Sequence, residues 1–352
     1  MKEDREGFLQ PVIEKTECIK CHRCEKVCPI LNPETINEGF ETLAYAAKNT
    51  DESIRVKSSS GGVFFALAKW IIQQGGVVFG ACFDHNWEVV HSYAETLDGI
   101  IPFMGSKYVQ SRIGGTFKQA KAFLEDGRWV LYSGTPCQLG GLRAYLGKEY
   151  DHLLQVDVIC FGVPSPGVWR SYLKEIVKQS GEITSISFRD KSKGWKHYQC
   201  KIATSNESCA PDEGLFLRGF LKEAYLRKSC HSCRFRFYHR NSDITIADYW
   251  GADVYCPALF DDKGTSIMFI HSERGEIALK GLTNDLCCIP QSKEQAIANN
   301  PCMEKKNPHG IDRSTFFRVY RLTSFRFAMY VILEKKSFYN RLLRRIKRVL
   351  GI

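Results

Sequence analysis

The stretch Leu153-Leu154-Gln155-Val156-Asp157-Val158-Ile159-Cys160-Phe161 runs straight into Gly162-Val163-Pro164-Ser165-Pro166 and then VWRSYLKEIVKQ (168–179). Its reading decides the fold. The first nine residues are apolar enough for a central strand, the glycine and two prolines break it, and the apolar positions that follow return at helical spacing. The same unit stands just upstream. RWVLYS (128–133) reads as a strand, Gly134-Thr135-Pro136-Cys137 as a turn, and QLGGLRAYL (138–146) as a helix. Strand, short loop, helix, twice over, argues for an α/β protein with a parallel or mixed sheet.

Further upstream, Ser58-Ser59-Ser60-Gly61-Gly62 precedes VFFALAKWIIQQ (63–74), a buried helix stopped by Gly75-Gly76 before the strand VVFGACF (77–83). Downstream, ITSISFRDK (183–191), YQCKIAT (198–204) and DITIADYW (243–250) read as strands of a second, more irregular half. The helix LFLRGFLKEAYLRKS (215–229) interrupts them. The sequence shows no internal repeat and no low-complexity linker. A chain of 352 residues has room for a sizeable core, two domains and small additions.

The formal charge of +10 is unevenly placed. From 313 to the end stand eleven Arg or Lys and a single acid, Glu334, so the rest of the chain sums to zero. No nucleic acid is therefore expected as a partner. In SFYNRLLRRIKRVLGI (337–352), Phe338, Leu342, Ile346 and Val349 share one helical face, with Arg344, Arg345, Lys347 and Arg348 largely on the others. Such a helix would suit an anionic membrane surface or a partner, or would cover its own core with a solvated basic face. No signal-peptide core and no spanning helix is legible, so the expected location is the cytoplasm, with peripheral contact at the inner face of the membrane through this tail. Fifteen cysteines in such a compartment point to metal or redox use rather than disulfides.

CIKCHRCEKVCP (18–29) shows where some of them work. The spacing C-x2-C-x2-C-x3-C-P is the ferredoxin run, whose thiolates wrap a 4Fe-4S cluster. Cys18, Cys21, Cys24 and Cys28 are the candidate ligands. In two-cluster ferredoxins the Cys before Pro serves the other cluster, yet no second run exists here. The N-terminal segment thus reads as an incomplete ferredoxin-like unit, and the chain is expected to begin in mid-ferredoxin through truncation or a missed start. The other possibility is a single cluster with a borrowed ligand.

Loops after the strands of an open α/β sheet are where ligands sit. SSSGG, GTPCQ and GVPSP carry small residues at helix N-termini, where exposed amides favour an anion, although capping chemistry selects the same residues. Gly105-Ser106-Lys107-Tyr108 adds a lysine and a ring suited to a diphosphate and a flavin. Cys137 lies in the GTPC turn, Cys160 ends its strand, and Cys230 with Cys233 forms a second CxxC. These four would gather into a second cluster or a zinc site. Alternatively Cys137, at a helix N-terminus that lowers a thiol pKa, would be a nucleophile, or Cys137 and Cys160 would be small buried fillers as expected of Cys82, Cys200 and Cys287.

Taken in order, the ferredoxin run, SSSGGVFFALA, GSKYVQS, SGTPCQ, DVICFGVPSP, FRDKSKGW, SCHSCRFR and SDITIADYWG resemble the coenzyme F420 hydrogenase/dehydrogenase beta-subunit family, from about residue 5 to about residue 320. The resemblance implies an α/β core that binds FAD and one or two 4Fe-4S clusters and passes electron pairs between the flavin and a deazaflavin or another small acceptor or donor. It places Ser59, Ser60, Gly61, Gly62, Ser106, Lys107, Tyr108, Gly134, Thr135 and Pro136 in the flavin region, with Lys107 toward the pyrophosphate. It draws the second cluster's ligands from Cys137, Cys160, Cys230 and Cys233. Where the family usually has His after the cysteine of the DVIC segment, this chain has Phe161.

The expected organisation is a ferredoxin-type segment at 1–35, the family's N-terminal and C-terminal domains at 42–125 and 126–312, and a basic helical tail at 313–352. The leading reading is an iron-sulfur flavoprotein oxidoreductase with an unassigned substrate and no assigned catalytic residue. Two rivals stand beside it: an electron-transfer subunit that serves a partner protein, and a cysteine-dependent transferase in polysaccharide assembly.

Overall fold

The computed structural model describes residues 1–32, 39–206, 214–303 and 313–333. It opens with a ribbon of β1 (Lys2–Glu3) and β2 (Leu9–Gln10). The main sheet is built from β3 (Leu43–Asn49), β4 (Val77–Phe83), β5 (Val89–Ala94), β6 (Val130–Gly134), β7 (Leu153–Val158), β10 (Ile244–Asp248), β11 (Ser266–Ile270) and β12 (Leu286–Gln291). β8 (Ile183–Asp190) and β9 (Gln199–Thr204) form a separate antiparallel pair.

The order across the sheet is β12-β3-β11-β10-β7-β6-β4-β5. Strands β4, β6, β7 and β10 are mutually parallel where they pair, and β5, β11, β3 and β12 add on antiparallel. The fold is thus α/β with a mixed sheet. The boundary expected between residues 125 and 126 falls between β5 and β6, inside this one sheet.

Alternation along the strands builds two apolar layers. Leu131, Leu154, Val156, Ile244 and Met268 meet the helix Val63–Gln73 through Val63, Leu67 and Ile71. The opposite faces of β4, β6 and β7, with Val77, Phe79, Val130, Tyr132 and Leu153, pack under the helices Thr116–Glu125 and Pro136–Leu146. The helix Pro166–Ser180 leads away from the sheet and joins β8, β9 and Leu215–Leu221 in an aromatic core around Trp169, Tyr172, Phe188, Phe216 and Tyr225.

Several expectations are corrected here. β10 belongs to the main sheet, beside β7, not to the second half. The helix expected over 215–229 stops at Leu221, because Glu223 adopts a left-handed backbone (φ 59°), and a short turn Lys228–His231 follows. The first part of the basic tail is core-packed: the helix Arg313–Tyr320 and a helix over 325–333 bury Phe316, Phe317, Phe325 and Met329 in the aromatic core. The face expected on 337–352 lies outside the described residues. Among those described, no helix is long and apolar enough to cross a membrane.

Candidate functional site

β3, β4, β6, β7 and β10 end on the same edge of the sheet, and a cavity of about 570 Å³ opens there. Position and sequence explain each other. Loops that follow these strands supply lining residues: Ser58, Ser59, Ser60 and Gly62 in the segment after β3, Thr135 and Gln138 after β6, Ile159 to Val163 after β7, and Trp250 after β10.

SSSGG forms one wall. Gly61 is the close-approach residue: its carbonyl accepts from Asn49 N (2.7 Å) and its amide donates to Ser266 Oγ (2.9 Å), and a Cβ there would stand 2.4 Å from Ala47 O. Ser59 Oγ accepts from Ser106 N, and the two hydroxyls lie 2.8 Å apart, which ties SSSGG to GSKY. Of the residues expected around a flavin, Ser59, Ser60, Gly62, Ser106, Lys107, Tyr108, Gly134 and Thr135 line the cavity. Gly61 and Pro136 are not on its surface, since Gly61 is pressed against β3 and β11 and Pro136 is buried as the first residue of its helix.

Lys107 is placed differently from its expected role. Its ammonium donates to the carbonyls of Pro102 (2.7 Å), Met104 (2.8 Å) and Gly105 (3.1 Å), so it braces its own loop instead of presenting a free charge to a pyrophosphate. Burial lowers its pKa to about 7. The cavity's other cation is Arg189, on β8. It forms a bidentate pair with Asp248 at the end of β10 (2.8 and 2.8 Å), lies over the Tyr198 ring at 3.8 Å, and donates to Tyr108 Oη at 3.3 Å. Trp195 Nε1 donates to the same carboxylate (2.9 Å), and Trp195 stacks on Trp250. Tyr108 stacks on Phe220, and Phe161 meets Phe220 edge-on, so the three rings form an aromatic wall.

On the β4–β6 side a polar chain runs through the wall. Gln138 Nε2 donates to Ser111 Oγ (2.7 Å), which lies 2.9 Å from His91 Nδ1, and His91 Nε2 lies 3.1 Å from Ser133 O. A carbonyl only accepts, so Nε2 carries the hydrogen and Ser111 donates to Nδ1. Burial lowers the His91 pKa to about 4, and the ring is neutral. Arg189, Asp248, Trp250, Tyr198 and His91 were not assigned from the sequence. The signal for the first two was an ionisable residue closing an otherwise strand-like run.

Cys137, Cys160, Cys230 and Cys233 come together at this edge. The segment before Cys230 pairs with the loop after β7, with Ser165 N donating to Tyr225 O and Arg227 N to Val163 O (2.9 Å). That pairing sets Cys230 beside Gly162, where a Cβ would stand 3.4 Å from Cys230 Cβ. Burial and the neighbouring thiols push Cys137 up to about 11, and raise Cys160 further still. Cys137 keeps accessible surface even though protein crowds it. Polar hydrogens face the sulfurs: the Gly162 and Val163 amides favour the Cys160 and Cys230 thiolates, Phe235 N donates to Cys233 Sγ (3.4 Å), and Thr135 Oγ1 lies 3.2 Å from Cys137 Sγ. Four thiols from three loops, with N–H and O–H groups turned toward sulfur, are a donor set that fits an iron-sulfur cluster, whose potential such hydrogen bonds tune. Among the described residues no group of three or more ligands is drawn tightly enough for a single metal ion. The raised Cys137 pKa runs opposite to the lowering expected for a nucleophile.

The N-terminal run, residues 18–29, lies wholly within the described residues. Its helix Arg23–Lys26 buries no residue, and Cys18, Cys21 and Cys24 are exposed. Of the cysteines expected as fillers, Cys82 and Cys200 are buried, but Cys287 is exposed on the edge strand β12.

Residues 127–294, from just before β6 to just past β12, match the family model for the C terminus of the coenzyme F420 hydrogenase/dehydrogenase beta subunit. The fold is similar to a chain in the structure of the xenon-derivatised F420-reducing [NiFe] hydrogenase complex from Methanosarcina barkeri, with a TM-score of 0.50, 18% identity, and coverage of 87% of this chain and 96% of that one. No curated protein matches the sequence.

Proposed function

We propose, on the match over residues 127–294, that the chain belongs to the coenzyme F420 hydrogenase/dehydrogenase beta-subunit family and is an iron-sulfur flavoprotein that exchanges electrons between a partner protein and a small redox substrate. One observation carries the reading. Cys137, Cys160, Cys230 and Cys233 converge on the edge of the sheet where the cavity opens, and Cys160 itself lines the cavity. A flavin converts between electron pairs and single electrons, and thiolate-bound clusters carry electrons singly.

The chain's own residues divide the work. The SSSGG loop, tied to Ser106, offers backbone amides and hydroxyls to an FAD, and its fit is close because Gly61 lets the loop lie on β3 and β11. Arg189, fixed by Asp248 and packed against the neighbouring rings of Tyr198 and Trp250, presents a cation of well-defined position to whatever occupies the cavity. The Tyr108–Phe220–Phe161 wall excludes water and suits a planar ring. His91, neutral and bonded at both nitrogens, does not carry the imidazolium proton at physiological pH and keeps its Nε2 hydrogen on Ser133 O; it orients Ser111 and Gln138. The four cavity-edge cysteines are proposed for the inner cluster, and Cys18, Cys21, Cys24 and Cys28 for an outer one. Exposure of Cys18, Cys21 and Cys24 suits exchange with a partner.

Anaerobic purification followed by iron and flavin analysis tests this. The expected result is about eight irons, four for each cluster, and one flavin per chain. Zinc alone, or protein with neither iron nor a yellow chromophore, refutes it. Reduction of a partner enzyme but of no small acceptor would identify a pure carrier.

A further inference from the structure

The inner CxxC is flanked by two arginines that both reach back to the N-terminal segment. Arg227, three residues before Cys230, donates through Nη1 to Leu9 O (3.1 Å) and Gln110 Oε1 (3.1 Å) and through Nη2 to Gln10 Oε1 (2.8 Å). Its guanidinium lies over the ring of Phe8, which is buried. Arg234, directly after Cys233, donates to Ile30 O at 3.2 Å. Between these grips, residues 11–27 are exposed throughout, with Val12, Ile13 and Ile19 among the exposed apolar side chains. No buried side chain anchors that stretch, so the polar ties at its two ends decide where it lies.

The same short segment is tied on its other side to the cavity. Arg227 N donates to Val163 O, Phe235 N donates to Cys233 Sγ, and Arg236 Nη2 donates to the carbonyl of Phe161, the residue after Cys160, at 2.6 Å. Alternate side chains after Cys233 therefore point to different bodies: Arg234 to the N-terminal run, Arg236 to the Cys160 loop. Arg suits such bridging, since its planar fork of five donors holds several acceptors in fixed directions.

We propose that Arg227 and Arg234 are positioning residues that clamp the segment carrying the ferredoxin run to the Cys230–Cys233 loop, Arg227 at residues 8–10 and Arg234 at Ile30, and so set the separation between the outer and inner cysteine groups. This rests on the reading that both groups hold clusters, because one-electron exchange falls steeply with distance. The clamp itself is a statement about the polypeptide and can be tested independently of iron.

The experiment uses the full-length protein, purified anaerobically, as wild type, Arg234→Ala and Arg234→Lys. Limited trypsin digestion reads cleavage at Lys15, Lys20, Arg23 and Lys26. Losing one exposed hydrogen bond should raise the open population, and with it the cleavage rate, about fivefold in Arg234→Ala. Arg234→Lys, which can still donate to Ile30 O, should restore the rate. In dithionite-reduced samples with equal iron content, Arg234→Ala should also weaken the magnetic coupling between the two reduced centres seen by electron paramagnetic resonance. An unchanged tryptic rate in Arg234→Ala overturns the proposal whatever the iron count. Wild-type protein with fewer than two clusters refutes the relay reading instead, and the tryptic rate alone then decides the clamp.

Discussion

Removing the carboxylate of Asp248 tests how the cavity wall is held. Arg189's side chain is only 3% exposed and Asp248's 19%, so the Asp248→Ala substitution strands a guanidinium in a site with no comparable anion bonded to it. Two bonds of 2.8 Å disappear, together with the acceptor for Trp195 Nε1, and only the Tyr198 and Trp250 faces and the long bonds to Tyr108 Oη (3.3 Å) and Ser59 O (3.4 Å), none of them anionic, remain against the charge. Breaking a buried pair by deleting one partner costs about 3–5 kcal/mol, because the surviving charge cannot recover its hydration. Arg189→Met removes the stranded charge, so the loss in the double variant Arg189→Met/Asp248→Ala should fall about 2 kcal/mol or more short of the sum of the two single losses. Urea unfolding followed by tryptophan fluorescence is the assay, with the stacked Trp195–Trp250 pair (5.0 Å between centroids) as a local reporter. An Asp248→Ala loss below about 1 kcal/mol, the range of exposed pairs, or a double variant equal to the sum of the singles, would show that the pair is solvated and the reasoning wrong.

Three further outcomes are expected. Gly61→Ala should destabilise by about 1–3 kcal/mol, because its Cβ meets backbone atoms of β3 and β11, and flavin content should fall with the displaced loop, whereas Gly105→Ala, with open space around it, should cost only about 1 kcal/mol of backbone strain; parallel denaturation curves compare them. His91 is neutral when folded, with a pKa of about 4, against about 6.5 when unfolded; the unfolded state therefore binds the proton first, and stability should drop as pH falls from 6.5 toward 4, by about 2 kcal/mol at pH 5, a slope that His91→Gln should flatten in urea titrations at each pH. Cys160→Ser should remove about half of the iron while the N-terminal centre keeps its spectrum, and full iron retention would exclude Cys160 as a ligand.

The local chemistry was legible because it is local. β4, β6, β7 and the helices after SSSGG, GTP and GVPSP follow from apolar runs ended by glycine, proline and capping residues, and each came close to its observed bounds. β3, with sequence LAYAAKN, carries weak strand preference, and Pro290 breaks the pattern of β12. Each becomes a strand through pairing with a partner more than two hundred residues away in sequence, β3 with β11 and β12. The helix break at Glu223 had no glycine or proline to announce it.

The sequence by itself determined the α/β class, the strand-loop-helix units, the cysteine run and the residue types able to hold a cofactor, because spacing and side-chain chemistry act over a few residues. Only the tertiary structure decided that Cys137, Cys160 and the Cys230–Cys233 loop meet, that Lys107 spends its charge on its own carbonyls, and that Arg189 and Asp248 close the cavity. Those outcomes depend on which distant segments pair at the sheet's edge, and on how burial then ranks the partners available to each charge.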